Sequence, residues 1–244
     1  MNRTKFGLLG WIIALALVMT LSTARADVTG TLTVSDNFSV GTTYGGSFDP
    51  SFWTPNGGTQ EALSYLYCLS IFNNIIPSES YNDTVATDDG KVDMSRKGAG
   101  NEFDYVGYTA PFTPQLAGEI AWLLDNYGIA GQNTTQVEAV QEAIWELIYG
   151  PNHKTPGDIY GNPSAAADAL EQTYIANLDA ALAGGGGVGD VDAFLWFSPG
   201  NIGSGRVYQP MIGKTVPEPT SILFLGVYLA AGLVGLGLRK RRIS

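Results

Sequence analysis

Between Thr134 and Gly150 the apolar residues Val137, Val140, Ile144, Leu147 and Ile148 recur three or four positions apart, the spacing of one helix face. Thr134 or Thr135 can cap the first turn, and Gly150-Pro151 stops the helix. Gln141 interrupts the stripe, one turn after Val137 and one turn before Trp145. An amide buried there without partners costs about 1–3 kcal/mol, so something in the fold must meet it. The candidate is Cys68, the only cysteine of the chain.

Elsewhere the period changes. Asp27 to Val34 alternates and is rich in Thr and Val, which predicts a strand. Thr42 to Asn56 reads as a loop or short strand around Tyr44, Phe48 and Trp53. Glu61 to Phe72 is an apolar run compatible with a strand or a short helix; its aromatic residues near Cys68 favour a strand, ended by Pro77. Tyr81 to Asn101 is polar and reads as a solvated loop. Its Asp83, Asp88, Asp89 and Asp93 could also hold calcium, although EF-hand spacing is absent. Phe103 to Tyr108 predicts a strand.

Thr113-Pro114 opens a helix whose inner stripe is Leu116, Ala117, Ile120, Ala121 and Leu124, and Tyr127-Gly128 ends it. Pro151 to Gly161 is a loop carrying His153. Asn162-Pro163 opens an Ala-rich helix through Ala183, with Leu170, Tyr174, Leu178 and Leu182 on its buried side and Gly184 to Gly187 at its end. Ala193 to Phe197 and Arg206 to Ile212 predict closing strands. Strands, then about three helices, then strands make the fold class α+β.

The two ends differ from the body. Arg3 and Lys5 precede an apolar run from Phe6 to Leu21, and Ala24-Arg25-Ala26 supplies a small-x-small cleavage site, the pattern of a secretory signal peptide. At the other end Val216-Pro217-Glu218-Pro219 is followed by an apolar segment, Ile222 to Leu238, and by Arg239-Lys240-Arg241-Arg242. The segment is near the lower limit for a spanning helix, about 17 residues, and the basic cluster predicts a cytoplasmic C-terminus. This tail resembles the PEP-CTERM sorting signal. The resemblance implies recognition by an exosortase-type enzyme in the inner membrane of a Gram-negative bacterium, cleavage near the Pro-Glu-Pro, and delivery of the body to the cell surface or extracellular matrix. An ordinary single-pass anchor explains the helix and arginines but not the Val-Pro-Glu-Pro.

Charge and rare residues narrow the chemistry. Of 13 basic residues, three precede Asp27 and four follow Leu238, so six stand against all 23 acidic residues, a formal charge of −17 between those bounds. Such a body repels nucleic acid and anionic membranes. One cysteine in an exported chain cannot form an internal disulfide; it is an intermolecular bridge, a buried inert thiol or a reactive group. One histidine, His153, rules out a His-rich metal site and allows a single Cys–His hydrolase arrangement with Cys68. His153 lies in a polar Pro/Gly loop without a surrounding signature.

A thiolate held against a glutamine carboxamide can expel ammonia and leave a Cys–Gln thioester. No cofactor is needed, because well-placed intramolecular partners reach effective molarities of about 10⁵–10⁸ M. Three segments carry a second resemblance: Tyr67-Cys68-Leu69, Ile120-Ala121-Trp122-Leu123-Leu124-Asp125-Asn126-Tyr127, and Val140-Gln141-Glu142-Ala143-Ile144-Trp145. Together they are similar to the motifs of bacterial thioester domains, with Val140 where that family has Thr. The resemblance implies a β-sandwich or barrel packed against a small helical bundle, with Cys68 and Gln141 joined at the seam and Tyr67 and Trp145 as shields against water. It divides the chain into a signal peptide over 1–26, a thioester domain over 27–213 with a helical insertion at about 113–183, and a sorting tail over 214–244. It also implies single-use covalent capture of an amine or hydroxyl on a surface, polysaccharide or protein target, rather than turnover. A non-reactive matrix or adhesion module displayed by the same tail is the alternative.

Overall fold

A computed structural model of the chain describes residues 27–35, 38–40, 46–48, 50–70, 78–92, 94, 112–128, 133–151, 164–199 and 210–216. The strands are β1 (Val28–Thr33), β2 (Phe38–Val40), β3 (Gly46–Phe48), β4 (Ser51–Pro55), β5 (Glu61–Cys68), β6 (Ser80–Thr87), β7 (Leu195–Ser198) and β8 (Met211–Thr215). Three helices, α1 (Pro114–Tyr127), α2 (Thr134–Tyr149) and α3 (Ala165–Ala183), come between β6 and β7. The fold is α+β: β1-β4-β5-β8-β7-β6 closes into an antiparallel barrel, and β2 and β3 form a separate two-stranded ribbon.

Period-2 alternation gives each barrel strand two faces. On β5, Leu63, Leu66 and Cys68 join Leu32, Trp53, Tyr81, Phe197 and Met211 in the barrel-side core. Tyr65, Tyr67 and Leu69 face the other way, into a core shared with all three helices. The change of phase between Leu63 and Tyr65 coincides with a register shift against β8. Lys214 on β8 reinforces the helix layer by an ion pair to Asp125 on α1, 3.0 Å. Tyr127 of α1 stacks on Tyr174 of α3 at 3.9 Å between ring centroids.

Several expectations shift. The polar stretch after Tyr81 is not a loop throughout: Ser80–Thr87 is β6, paired with both β1 and β7. Its pattern is disguised by a bulge at Asp83, whose φ of 54° is left-handed, and Thr84 Oγ1 donates to Tyr81 O at 2.6 Å across the bulge. Of the closing strand expected at Arg206 to Ile212, residues 206–209 lie outside the described residues; the described part is Met211–Thr215, where Leu63 to Cys68 of β5 pair with it. It therefore carries barrel pairing past the boundary drawn at 213, and Val216 N donates to Ala62 O at 2.9 Å. The region from Thr42 to Asn56 contains β3 and β4. The strand expected at Phe103–Tyr108, the signal peptide, the apolar tail segment and Pro217, Glu218 and Pro219 lie outside the described residues. Among the described residues no helix is long and apolar enough to cross a membrane.

The helix starts also differ. Neither Thr134 nor Thr135 caps α2. Asn133 does: its Oδ1 accepts from Gln136 N at 3.0 Å, and Gln136 Oε1 accepts from Asn133 N at 3.3 Å. This reciprocal box satisfies two free amides at once. On α3 the cap is Ser164 rather than Asn162-Pro163, and Ser164 N and Oγ both donate to Glu138 of α2. α1 begins as the sequence suggests, with Thr113 as cap and Pro114 in the first turn. Gly150 ends α2 at φ 86°, a conformation that favours glycine.

Replacing Asn133 by Ala is expected to lower stability by about 1 kcal/mol in urea denaturation. Thr134→Ala and Thr135→Ala should each stay within about 0.5 kcal/mol of the parent protein.

Candidate functional site

The site grows from an edge that β4 leaves uncovered. β4 pairs with β5 only from Glu61 to Leu63. Further along, β5 remains bonded to β8 on one side, with Leu69 N donating to Pro210 O at 2.8 Å. Main-chain polar groups alternate in direction along a strand, so Cys68 presents its N–H and C=O to the other side. Both would be buried, and each lost bond would cost about 1–3 kcal/mol.

The Gln141 carboxamide takes the place of the missing strand. Cys68 N donates to Gln141 Oε1 at 2.9 Å, and Gln141 Nε2 donates to Cys68 O at 2.8 Å. The two residues are 73 positions apart, and Gln141 is 0% exposed. The expected meeting of Gln141 with Cys68 is therefore present, made through the Cys68 main chain.

α2 is built to deliver this contact. Val137, Val140, Ile144 and Ile148 lie in the helix-side core, with Leu147 partly buried beside them. Trp145 crosses into the barrel-side core, where it joins Cys68 and Phe48. Gln141, one turn earlier, sits at the boundary. Among the described residues α2 is the one helix with buried side chains in both cores. The β2–β3 ribbon packs on α2, and β3 also lies against β5.

Tyr67 and Trp145 are brought to the same strand but not to the same side. Trp145 shares the Cys68 cluster, whereas Tyr67 projects from the opposite face of β5 and packs on Tyr65, 5.5 Å between centroids. Burial raises the Tyr67 phenol well above its ordinary range, with smaller contributions from Tyr65 and Tyr174. Burial alone pushes the Cys68 thiol far above its ordinary value, so it is neutral at physiological pH.

His153 and Asp93 lie outside the described residues, as does the sorting motif beyond Val216, which itself is 47% exposed. Asp83 stands on the β6 bulge and Asp89 pairs with Lys91. No group of three or more potential ligands gathers to hold a metal among the described residues. Sequence reasoning missed three buried acids on the helices, Glu138, Glu142 and Glu171. Only Glu138 had a readable signal, a serine ahead of the next helix for it to receive.

Gln141→Ala is expected to cost about 2–4 kcal/mol, read by denaturant titration, because it strips partners from two buried main-chain groups. Gln141→Glu replaces the donor to Cys68 O with a second acceptor. Burial raises that carboxyl, so the variant should be most stable in acid, where it is protonated and can donate. Its stability should fall as pH rises through the raised folded value, the reverse trend to an ion-paired carboxylate.

No protein-family model, curated protein or solved structure matches this chain.

Proposed function

We propose that Cys68 and Gln141 form an internal thioester, through which the exported protein covalently captures an amine or hydroxyl on a surface or matrix target. The observation that carries this reading is the 2.9 Å bond from Cys68 N to Gln141 Oε1. The residue that brings the sulfur also brings a donor for the oxygen that becomes anionic when sulfur attacks. An oriented N–H in a dry site is the usual means of stabilising such an oxyanion.

The chemistry balances without a cofactor. Sγ bonds to the Gln141 amide carbon, the carbon–nitrogen bond breaks, and the thiol proton leaves with nitrogen as ammonia. The Nε2 hydrogen bond to Cys68 O orients that nitrogen before it departs. In capture, the incoming amine bonds to the same carbon, its proton passes to sulfur, and the target is held as an amide while Cys68 returns as a thiol. The burial that raises the thiol's pKa favours the neutral thiol as the leaving product. It also keeps water from the bond beforehand, with Trp145 and Phe48 among the buried residues of the same cluster. Each chain acts once.

The tail supports the setting. A Val216-Pro217-Glu218-Pro219 segment, an apolar run and an arginine cluster suit processing by an exosortase-type enzyme and display outside a Gram-negative cell. The reading of a non-reactive display module rests on a specific observation too: both polar atoms of Gln141 are already satisfied by main chain.

Intact mass separates the two. The purified protein should weigh one ammonia less than its sequence, and methylamine should add once per chain and release one titratable thiol. Cys68→Ala and Gln141→Ala should each restore the full mass and abolish the addition. Untreated protein at full mass, with a thiol that titrates on unfolding, would establish the non-reactive module instead.

A further inference from the structure

We propose that the β2–β3 ribbon is a hinged lid over the Cys68–Gln141 seam, and that its opening, not unfolding of the barrel, admits reagents to the sulfur. The proposal concerns access and holds whether the sulfur is acylated or free. Cys68 is 3% exposed and Gln141 0%, so neither water nor a target group reaches them until something moves.

The elements around the seam differ in how firmly they are held. β5 and β8 belong to the closed barrel and pair from Leu63 to Cys68. α2 is fixed by its capping box, by the Glu138 link to Ser164 and by Gln141 itself. The ribbon has much less. Among the described residues β2 and β3 pair only with each other, at Phe38–Phe48, Ser39–Ser47 and Val40–Gly46. A two-stranded sheet of that length is not stable alone. It rests on the two elements that make the seam: β3 lies on β5 and on α2, and β2 lies on α2.

Phe48 is the seal and Ser51 the hinge. Phe48 ends β3, is 1% exposed and shares the barrel-side core with Cys68 and Trp145. The chain leaves the barrel after β1 and rejoins it at β4. Both ends of this excursion meet at one hydroxyl: Ser51 Oγ accepts from Ser35 N at 3.5 Å and donates to Phe48 O at 3.2 Å. Ser51 is 0% exposed and stands opposite Leu63 in the barrel. A fixed root, an aromatic anchor and no strand pairing to the barrel make an element that opens locally at low free energy.

The test is the rate at which full-length protein reacts at Cys68 in native buffer, followed by intact mass. Methylamine is the probe if the chain weighs one ammonia less than its sequence, and iodoacetamide if it has full mass, so failure of the thioester leaves this test standing. The rate should change little in low urea, because a lid exposes little new surface, whereas entry by unfolding follows the full denaturant slope. Phe48→Ala should speed the reaction at least about tenfold, and Ser51→Ala about threefold. Leu195→Ala, at the rim where β5 begins, should stay within about twofold of the parent rate while lowering global stability. The proposal is overturned by a rate that tracks global unfolding in urea, by equal acceleration in Leu195→Ala, or by an unchanged rate in folded Phe48→Ala.

Discussion

Two hydrogen bonds between one side-chain amide and one residue's main chain tie the helices to the barrel. β4 stops short, which leaves the last residues of β5 with an open side. A barrel resolves such an edge by closure, by twisting it away or by covering it. Here an amide from α2 supplies one donor and one acceptor in the pattern a neighbouring strand would have offered. The capping box at Asn133, the Glu138 link to Ser164 and the insertion of Trp145 all fix the height and rotation of α2. Those features share the task of keeping the Gln141 amide in register.

The same arrangement defines what chemistry the seam can support. The contact is neutral, dry and centred on a residue whose side chain is a thiol. Dryness suppresses ionisation of that thiol and hydrolysis of any acyl group joined to it. A hydrogen-bonded amide in this setting is complete as a packing element, and it is also the arrangement from which the proposed acyl transfer would start. The difference between those outcomes is one covalent bond, not a different fold.

The centre of this arrangement was legible in the sequence because it violates a pattern. An amide within an apolar helical stripe is costly, so Gln141 announced a partner, and a single cysteine on an aromatic strand was the natural one. α1 and β1 were readable for the opposite reason: cap and periodicity agreed with the final packing. β6 escaped because its buried positions include Tyr81 and Thr84, and the bulge at Asp83 breaks the alternation. The α2 cap was misplaced because Asn133, Thr134 and Thr135 are all good cap residues, and only Gln136 reaching back distinguishes the first. Buried Glu142 and Glu171 could not be foreseen, since charge on a helix ordinarily marks the wet face. A pocket at the rim where β5 begins joins residues from β1, β4, β5, β6 and β7, which no linear spacing reveals.

The direction in which β8 leaves the barrel orders the molecule along one axis. Val216 is still bonded to Ala62 at the foot of β5, and β1 starts at the same rim. Cys68 lies at the far end, about 20 Å of strand away. The chain therefore leaves the barrel at Val216 from the rim opposite the Cys68–Gln141 seam.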